Sequence, residues 1–332
     1  MKYKVGIVGA TGAVGQELIK LLEKRKFPVK NLHLFASQKS VGKKTIFSGQ
    51  SIEIETIKDF KGFDFIFLCA GRSVSQKYAE KITQEGALAI DSSSFFRYHP
   101  DVPLVIPEIN PEAIKNHKGL ISSPNCTTTI MLLPLFPLHK LFKIRRIVST
   151  SYQAASGAGA LGMTELLQET HSVLNGQPYE RSVFQHPYAF NLFTHNSPLD
   201  SSGYVEEELK MIHETRKILN DDSIKISPTC VRVPVLRAHS LSMNVSFEKD
   251  VSLQEIYRIL EQAPGIKILN DYNQHVFPMP VLASEKEEVL CGRIREDFTE
   301  KNTFNFWVAG DQLLKGAALN AIQIAELVTK RS

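Results

Sequence analysis

The chain has 332 residues, a net charge of +4, and 43% hydrophobic and 22% charged residues. That length holds about two domains. The composition is that of a globular enzyme and excludes a disordered or membrane-spanning chain, and the lysines and arginines are too scattered to make a nucleic-acid patch. Cys69, Cys126, Cys230 and Cys291 form no C-x-x-C pair, and no histidine cluster has zinc-ligand spacing, so no metal site is expected. With no signal peptide recognised, dispersed thiols set the expectation of a cytoplasmic protein.

Lys4 to Val8 reads as a short buried strand. Gly9-Ala10-Thr11-Gly12-Ala13-Val14-Gly15 follows, and Gln16 to Lys24 has the spacing of an amphipathic helix. Strand, glycine turn and helix is the context in which a pyrophosphate meets a helix N-terminus, although the spacing is G-x-x-G-x-x-G. Gly9, Thr11, Gly12, Ala13 and Val14 are therefore candidate cofactor contacts. A second strand is predicted over Leu32 to Ala36. Its end carries no acid for a ribose 2′-hydroxyl. It carries Ser37, Lys39 and Ser40, with Lys43 and Lys44 beyond, a composition that suits a 2′-phosphate and so favours NADP over NAD.

Alternation continues with a strand over Phe63 to Cys69, Ser73 at its C-terminal edge, a helix over Ser75 to Gln84, a strand over Ala87 to Ile90 and a polar turn over Asp91 to Ser94. This order predicts an α/β fold with a Rossmann-like doubly wound parallel sheet. A strand over Gly119 to Ser122 then meets Ser123-Pro124-Asn125-Cys126-Thr127-Thr128-Thr129 and an apolar helix over Thr128 to Leu141. A thiol at a helix N-terminus is placed to be a nucleophilic thiolate, and the same N–H groups can hold an oxyanion. A buried structural cysteine is the plainer alternative. Further on, Glu206 to about Leu219 reads as a helix opened by three adjacent acids. Gln177 to Tyr204 has little periodicity, and a subunit contact is expected there. Ala317 to Leu327 is predicted to be a helix packed on the first sheet.

An ordered set of segments resembles the aspartate-β-semialdehyde dehydrogenase family nearly end to end. They are Gly9 to Gly15, Ser92 to Arg97, Val102 to Asn110, Ser123 to Thr128, Ser151 to Gly159, Glu207 to Lys217, Cys230 to Ser240 and Lys315 to Leu327. The resemblance implies NADPH-dependent reduction of aspartyl phosphate to aspartate semialdehyde through a cysteine thioester, with release of phosphate. It implies an NADP-binding domain of residues 1–126 plus 316–332, and a mixed α/β catalytic and dimerisation domain of residues 127–315 in a homodimer or homotetramer.

By the same resemblance Cys126 is the nucleophile, Gln153 orients the intermediate, and His239 is the acid/base, for which an ordinary pKa near 6.5 is suited. Arg232 clamps the substrate α-carboxylate and Glu207 takes its amino group, with the choice among Glu206, Glu207 and Glu208 left open. Arg97, Asn125 and Lys210 meet the phosphate, and Ser156, Gly157 and Gln312 the nicotinamide side of the cofactor. The family has Asp-Asn where this chain has Asp311-Gln312. Arg232 and His239 are seven residues apart, so a single regular strand would turn them to opposite faces, but Pro234 argues against such a strand. N-acetyl-γ-glutamyl-phosphate reductase and glyceraldehyde-3-phosphate dehydrogenase share the chemistry. An acid for a free amino group favours the aspartate substrate over the acetylated one. A non-catalytic NADP-binding paralogue would need none of Cys126, Gln153, Arg232 and His239.

Overall fold

Tyr3–Val8 forms β1 at the centre of a seven-stranded sheet, with Val5 and Ile7 fully buried. The computed structural model describes residues 1–331, which fall into two compact units: Met1–Asn125 with the segment from Ala317 onward, and Cys126–Gly316. Among the described residues no helix is long and apolar enough to cross a membrane.

In the first unit β1 leads through the glycine turn into α1 (Ala13–Lys24), then β2 (Val29–Phe35), a hairpin of β3 (Lys44–Phe47) and β4 (Gln50–Glu55), β5 (Phe65–Leu68), α2 (Arg72–Gln84), β6 (Leu88–Asp91) and β7 (Leu120–Ser122). The sheet order is β3-β4-β2-β1-β5-β6-β7, parallel throughout except for the β3–β4 pair. Parallel strands are covered on both faces, which is why every residue of β5 and β6 is buried and all but Asp91, at the end of β6, are apolar. The hairpin is absent from the sequence reading, since its strands are short, polar and half-exposed. Its one signal is the Ser48–Gly49 pair, whose φ values of 49° and 77° suit a tight hairpin turn. The C-terminal helix (Leu319–Arg331) belongs to this unit. Asn320 donates to the Val105 carbonyl and Ser123 Oγ, both at 2.9 Å, and Glu326 pairs with Arg25 at 2.7 Å.

The second unit opens with α3 (Cys126–Phe142), then β8 (Ile144–Gln153), α4 (Gly159–Leu174), β9 (Phe193–Thr194), α5 (Glu206–Leu219), β10 (Lys225–Arg232), β11 (His239–Phe247), α6 (Leu253–Glu261), β12 (Ile266–Ile268), β13 (Val289–Glu296) and β14 (Thr303–Gly310). α3 begins two residues earlier than predicted and runs unbroken through Pro134 and Pro137. Proline deletes a ladder bond and ordinarily breaks a helix. Here the central turns are buried, Ile130 to Leu135 without a gap, so packing overrides local propensity.

The sheet order β12-β13-β14-β11-β8-β10-β9 positions the site. β10 runs parallel to β8, pairing Arg232 with Gln153 at their C-terminal ends. β11 runs antiparallel to β8, so its first residue, His239, comes to the same end. Arg232 and His239 thus lie on strands flanking β8 on opposite sides, which removes the objection from their odd spacing.

The segment where a subunit contact is expected, Gln177 to Tyr204, is also tied down within its own unit. Two buried carboxylates one helical turn apart on α4 stitch it down. Glu165 accepts the Ser182, Val183 and Phe184 N–H groups at 2.6–2.8 Å, and Glu169 accepts those of Tyr188 and Ala189 at 2.7 and 3.1 Å. The hydroxyl of the fully buried Tyr188 then reaches the Gln153 carbonyl at 3.3 Å.

Candidate active site

In the first unit Gly9 has a φ of 93°, and its N–H together with that of Ala10 bonds to Phe35 at the end of β2. A Cβ on Gly9 would meet the Cys69 backbone at 2.8 Å, and one on Gly15 would stand 2.3 Å from the Gly9 carbonyl, so only glycine allows this crossing of strand and helix. α1 starts at Ala13 with no side-chain cap and no acid in its first turn, and Thr11 and Gly12 are exposed there. Ala13 and Val14 are half-buried. Such an N-terminus, with bare N–H groups and the positive end of the helix dipole, fits a dinucleotide pyrophosphate. Ser37, Lys39 and Ser40 make a turn directly after β2, Ser37 and Lys39 exposed, and Ser73 is exposed in the first turn of α2.

Arg97 is buried in the same unit, donating to the Ser123 and Ser92 carbonyls at 3.0 Å each. These bonds fix the guanidinium in place, near enough to Asp91 for its charge to favour that carboxylate. Asn125, also buried, ends this unit.

Cys126 opens the second unit as the first residue of α3, half-buried at the positive end of the helix. Its Sγ lies 3.7 Å from His239 Nε2. The other cysteines stand apart from this chemistry. Burial pushes the Cys69 and Cys291 thiols up to about 12 and raises Cys230 further.

The Ala154 N–H donates to His239 Nδ1 at 3.0 Å. An accepting Nδ1 carries no proton, so the proton of the neutral ring sits on Nε2, facing the sulfur. His239 is fully buried, and burial, reinforced by the Arg232 charge, pushes it down to about 3. The ordinary pKa near 6.5 expected from the sequence is therefore not the one the structure provides. The imidazole is held neutral as an N–H donor. Its strand starts from Ala238, a buried residue at φ 72°, whose N–H donates to Gln312 Oε1 at 2.9 Å.

The other end of the Gln312 amide donates to Ser156 Oγ. Gln312, expected to face a cofactor, is thus spent on holding the strained Ala238 and the Ser156 turn, and both side chains are buried. Gly157 packs its backbone against the cluster: a Cβ there would stand 2.7 Å from Arg232 Nη1 and 3.2 Å from His239 Cε1. A Cβ on Gly316 would stand 2.7 Å from that of Cys126.

Gln153 is buried and donates to Thr127 Oγ1 at 3.0 Å, which fixes its amide beside the start of α3. Of the three acids opening α5, Glu206 is partly exposed. Glu208 caps the helix by accepting the Val205 N–H and also accepts the Cys230 N–H, at 3.0 and 2.9 Å. Glu207 reaches Gln153 Nε2 at 3.4 Å and, like Glu206, stands 3.3 Å from Lys210 Nζ. Arg232 is buried, with Nη1 to the Ala154 carbonyl at 3.3 Å, Nη2 to His195 Nε2 at 2.8 Å and the Phe184 ring 5.8 Å away. His195 is absent from the sequence reading, and Ala154 and Gly316 lie in segments it names without a role. His195 lies in the segment without periodicity, and the other two act through backbone position, for which a sequence carries no signal.

A protein-family model described as the semialdehyde dehydrogenase dimerisation domain matches residues 135–315, and another, the semialdehyde dehydrogenase NAD binding domain, matches residues 4–117. An aspartate-semialdehyde dehydrogenase of Synechocystis sp. is 48% identical over 330 residues, 99% of this chain and 98% of that protein. The crystal structure of aspartate semialdehyde dehydrogenase II of Vibrio cholerae complexed with ASA has a TM-score of 0.97 at 40% identity, covering 99% of both chains. Aspartate semialdehyde dehydrogenase with NADP from Candida albicans has a TM-score of 0.78 at 25% identity, again over 99% of both.

Proposed function

The chain belongs to the aspartate-semialdehyde dehydrogenase family, and from that premise we propose that it reduces L-4-aspartyl phosphate to L-aspartate 4-semialdehyde through a thioester on Cys126. The reaction uses NADPH, releases phosphate, and serves the biosynthesis of lysine and diaminopimelate, methionine and threonine. The observation that carries the assignment is the pairing of Cys126 Sγ, at a helix N-terminus, with the protonated nitrogen of a neutral His239 at 3.7 Å.

The Cys126 thiolate attacks the acyl carbon; the carbon–sulfur bond forms as the carbon–oxygen bond to phosphate breaks. His239 Nε2–H donates to negative charge, first on sulfur and then on the former carbonyl oxygen, without itself being protonated. Gln153 orients the acyl group. Arg232 takes the α-carboxylate, since a guanidinium matches a carboxylate bidentately, and Glu207 takes the α-ammonium. Arg97, Asn125 and Lys210 are assigned to the departing phosphate.

The Gly9–Val14 turn, with Ser37, Lys39, Ser40 and Ser73, holds NADP, and Ser156, Gly157 and Gln312 shape the nicotinamide end, Gln312 through Ala238 and Ser156. NADPH, when bound, supplies the hydride; the carbon–sulfur bond of the reduced acyl group then breaks, releasing the aldehyde and returning Cys126 as the thiolate. We assign NADP binding to the unit of Met1–Asn125 with the segment from Ala317 onward, catalysis and dimerisation to Cys126–Gly316, and the protein to the cytoplasm as a homodimer. Leu167 and Leu174, seven residues apart and so on one face of α4, are 55% and 71% exposed, which supports a buried apolar face in that assembly.

The decisive experiment is phosphate-dependent reduction of NADP with L-aspartate semialdehyde. Cys126→Ala is expected to lower turnover by roughly 10⁴-fold or more while NADP binding is kept. Normal turnover by that variant refutes the thioester.

A further inference from the structure

His195 follows β9, and its N–H donates to the Cys230 carbonyl at 2.8 Å, continuing the pairing along β10. The side chain is buried beside Arg232, with Nη2 and Nε2 2.8 Å apart. A guanidinium only donates, so Nε2 accepts and the ring proton lies on Nδ1. Nδ1–H then donates to Ser197 Oγ at 3.0 Å; the Ser197 N–H, 3.2 Å from the same nitrogen, cannot donate to it in this tautomer, which the shorter, charge-assisted bond from Arg232 selects. Ser197 Oγ in turn accepts the Glu207 N–H at 3.1 Å. A continuous chain therefore joins the Arg232 guanidinium to the backbone of Glu207.

Two further observations bear on this chain. Among the described residues no carboxylate pairs with Arg232, and its buried Nε has no hydrogen-bond partner, so its charge is held by neutral acceptors. Burial and the Arg232 charge keep the His195 imidazole neutral, down to about 4, so it accepts from the guanidinium instead of repelling it.

We propose that His195, through Ser197, is a positioning residue that fixes the distance between Arg232 and Glu207, and so matches the site to a substrate carrying both an α-carboxylate and an α-ammonium group. The proposal rests on the assignment of Arg232 and Glu207 to those two groups. A histidine that only filled space would leave substrate selection untouched.

Steady-state kinetics with L-aspartate semialdehyde, NADP and phosphate test it in wild type, His195→Leu, His195→Gln and Ser197→Ala. A parallel series uses 3-aminopropanal, which lacks the α-carboxylate. His195→Leu is expected to raise KM for aspartate semialdehyde roughly 10- to 100-fold, the scale of losing a hydrogen bond to a charged group. The KM values for NADP and phosphate stay close to wild type, and the preference for aspartate semialdehyde over 3-aminopropanal falls by a similar factor. His195→Gln, whose Oε1 can accept near the position of Nε2, recovers most of the loss. If His195→Leu does not fold, Ser197→Ala decides: a several-fold rise in KM for aspartate semialdehyde alone supports the proposal, and an unchanged KM overturns it. Unchanged preference in His195→Leu, or an equal loss toward every substrate that His195→Gln does not restore, also overturns it. Wild type inactive on aspartate semialdehyde overturns the substrate assignment itself, and the proposal with it.

Discussion

In the Gly9–Gly15 turn the groups offered to a ligand are backbone N–H groups, all from one junction of strand and helix, and the side chains matter mainly by being small. Around Cys126 the groups are side chains, delivered by α3, β8, α5, β10 and β11, with the backbone in support: Ala154 N–H fixes the tautomer of His239, and Gly157 leaves room for two of the side chains. One region presents its N–H groups by local chain geometry. The other depends on a sheet that brings strand ends together from distant parts of the sequence. The second is therefore the more sensitive to small displacements.

Gly157→Ala is the sharpest way to break this contrast. The added methyl stands 2.7 Å from Arg232 Nη1, whose guanidinium is tied to the Ala154 carbonyl and His195, and 3.2 Å from His239 Cε1. A displacement near 1 Å costs about 10²-fold in such a cluster. We expect kcat/KM for aspartate semialdehyde to fall by about that factor while NADP binding, read by fluorescence titration, is retained. Near-normal kcat/KM would mean that the side chains of the second region are not held as tightly as their contacts imply.

The same contrast explains what the sequence made legible. The first sheet is readable because buried parallel strands are apolar runs, as in β5 and in β6 up to Asp91, and because the glycine turn is contiguous. The β3–β4 hairpin is not legible because its strands mix polar and charged residues with few apolar ones and lie largely exposed. In the second unit Cys126, Gln153, Arg232 and His239 are recognisable through family segments and residue chemistry, but periodicity cannot show that three strand ends converge. His195 escapes because β9 is two residues long and its partner, Arg232, is met only across the sheet edge. Likewise the depressed pKa of His239 follows from complete burial and from a backbone N–H, neither of which a residue's identity records.

Those buried imidazoles yield a smaller, measurable effect. His195 and His239 are held down to about 4 and about 3, whereas in the unfolded chain a histidine titrates near 6.5. Below pH 6.5 the unfolded chain binds protons that the folded one refuses. The stability these groups contribute is complete above 6.5 and is lost progressively as pH falls toward 4 and 3. At pH 5.5 the loss is about 1.4 kcal/mol for each imidazole. In the first unit burial lowers His33 and His117 in the same direction, but both remain partly exposed. We expect Tm to drop between pH 7.5 and 5.5 by about 2–4 °C less in His195→Gln than in wild type. Equal drops in the two proteins would remove His195 from the acid response.

The smallest effect belongs to the first region. Lys39 is exposed in the turn after β2, so any pairing with a 2′-phosphate is screened by water and worth no more than about 1 kcal/mol. Lys39→Ala is expected to raise KM for NADP by about 2- to 5-fold and to leave KM for NAD unchanged. Because the charge is exposed, the difference shrinks as salt approaches about 1 M, where the screening length is near 3 Å. Steady-state KM values for both cofactors at low and high salt check this. A salt-independent change, or one of equal size for NAD, would mean that Lys39 shapes the turn and does not read the phosphate. The backbone-and-glycine character of the first region would then extend to cofactor choice as well.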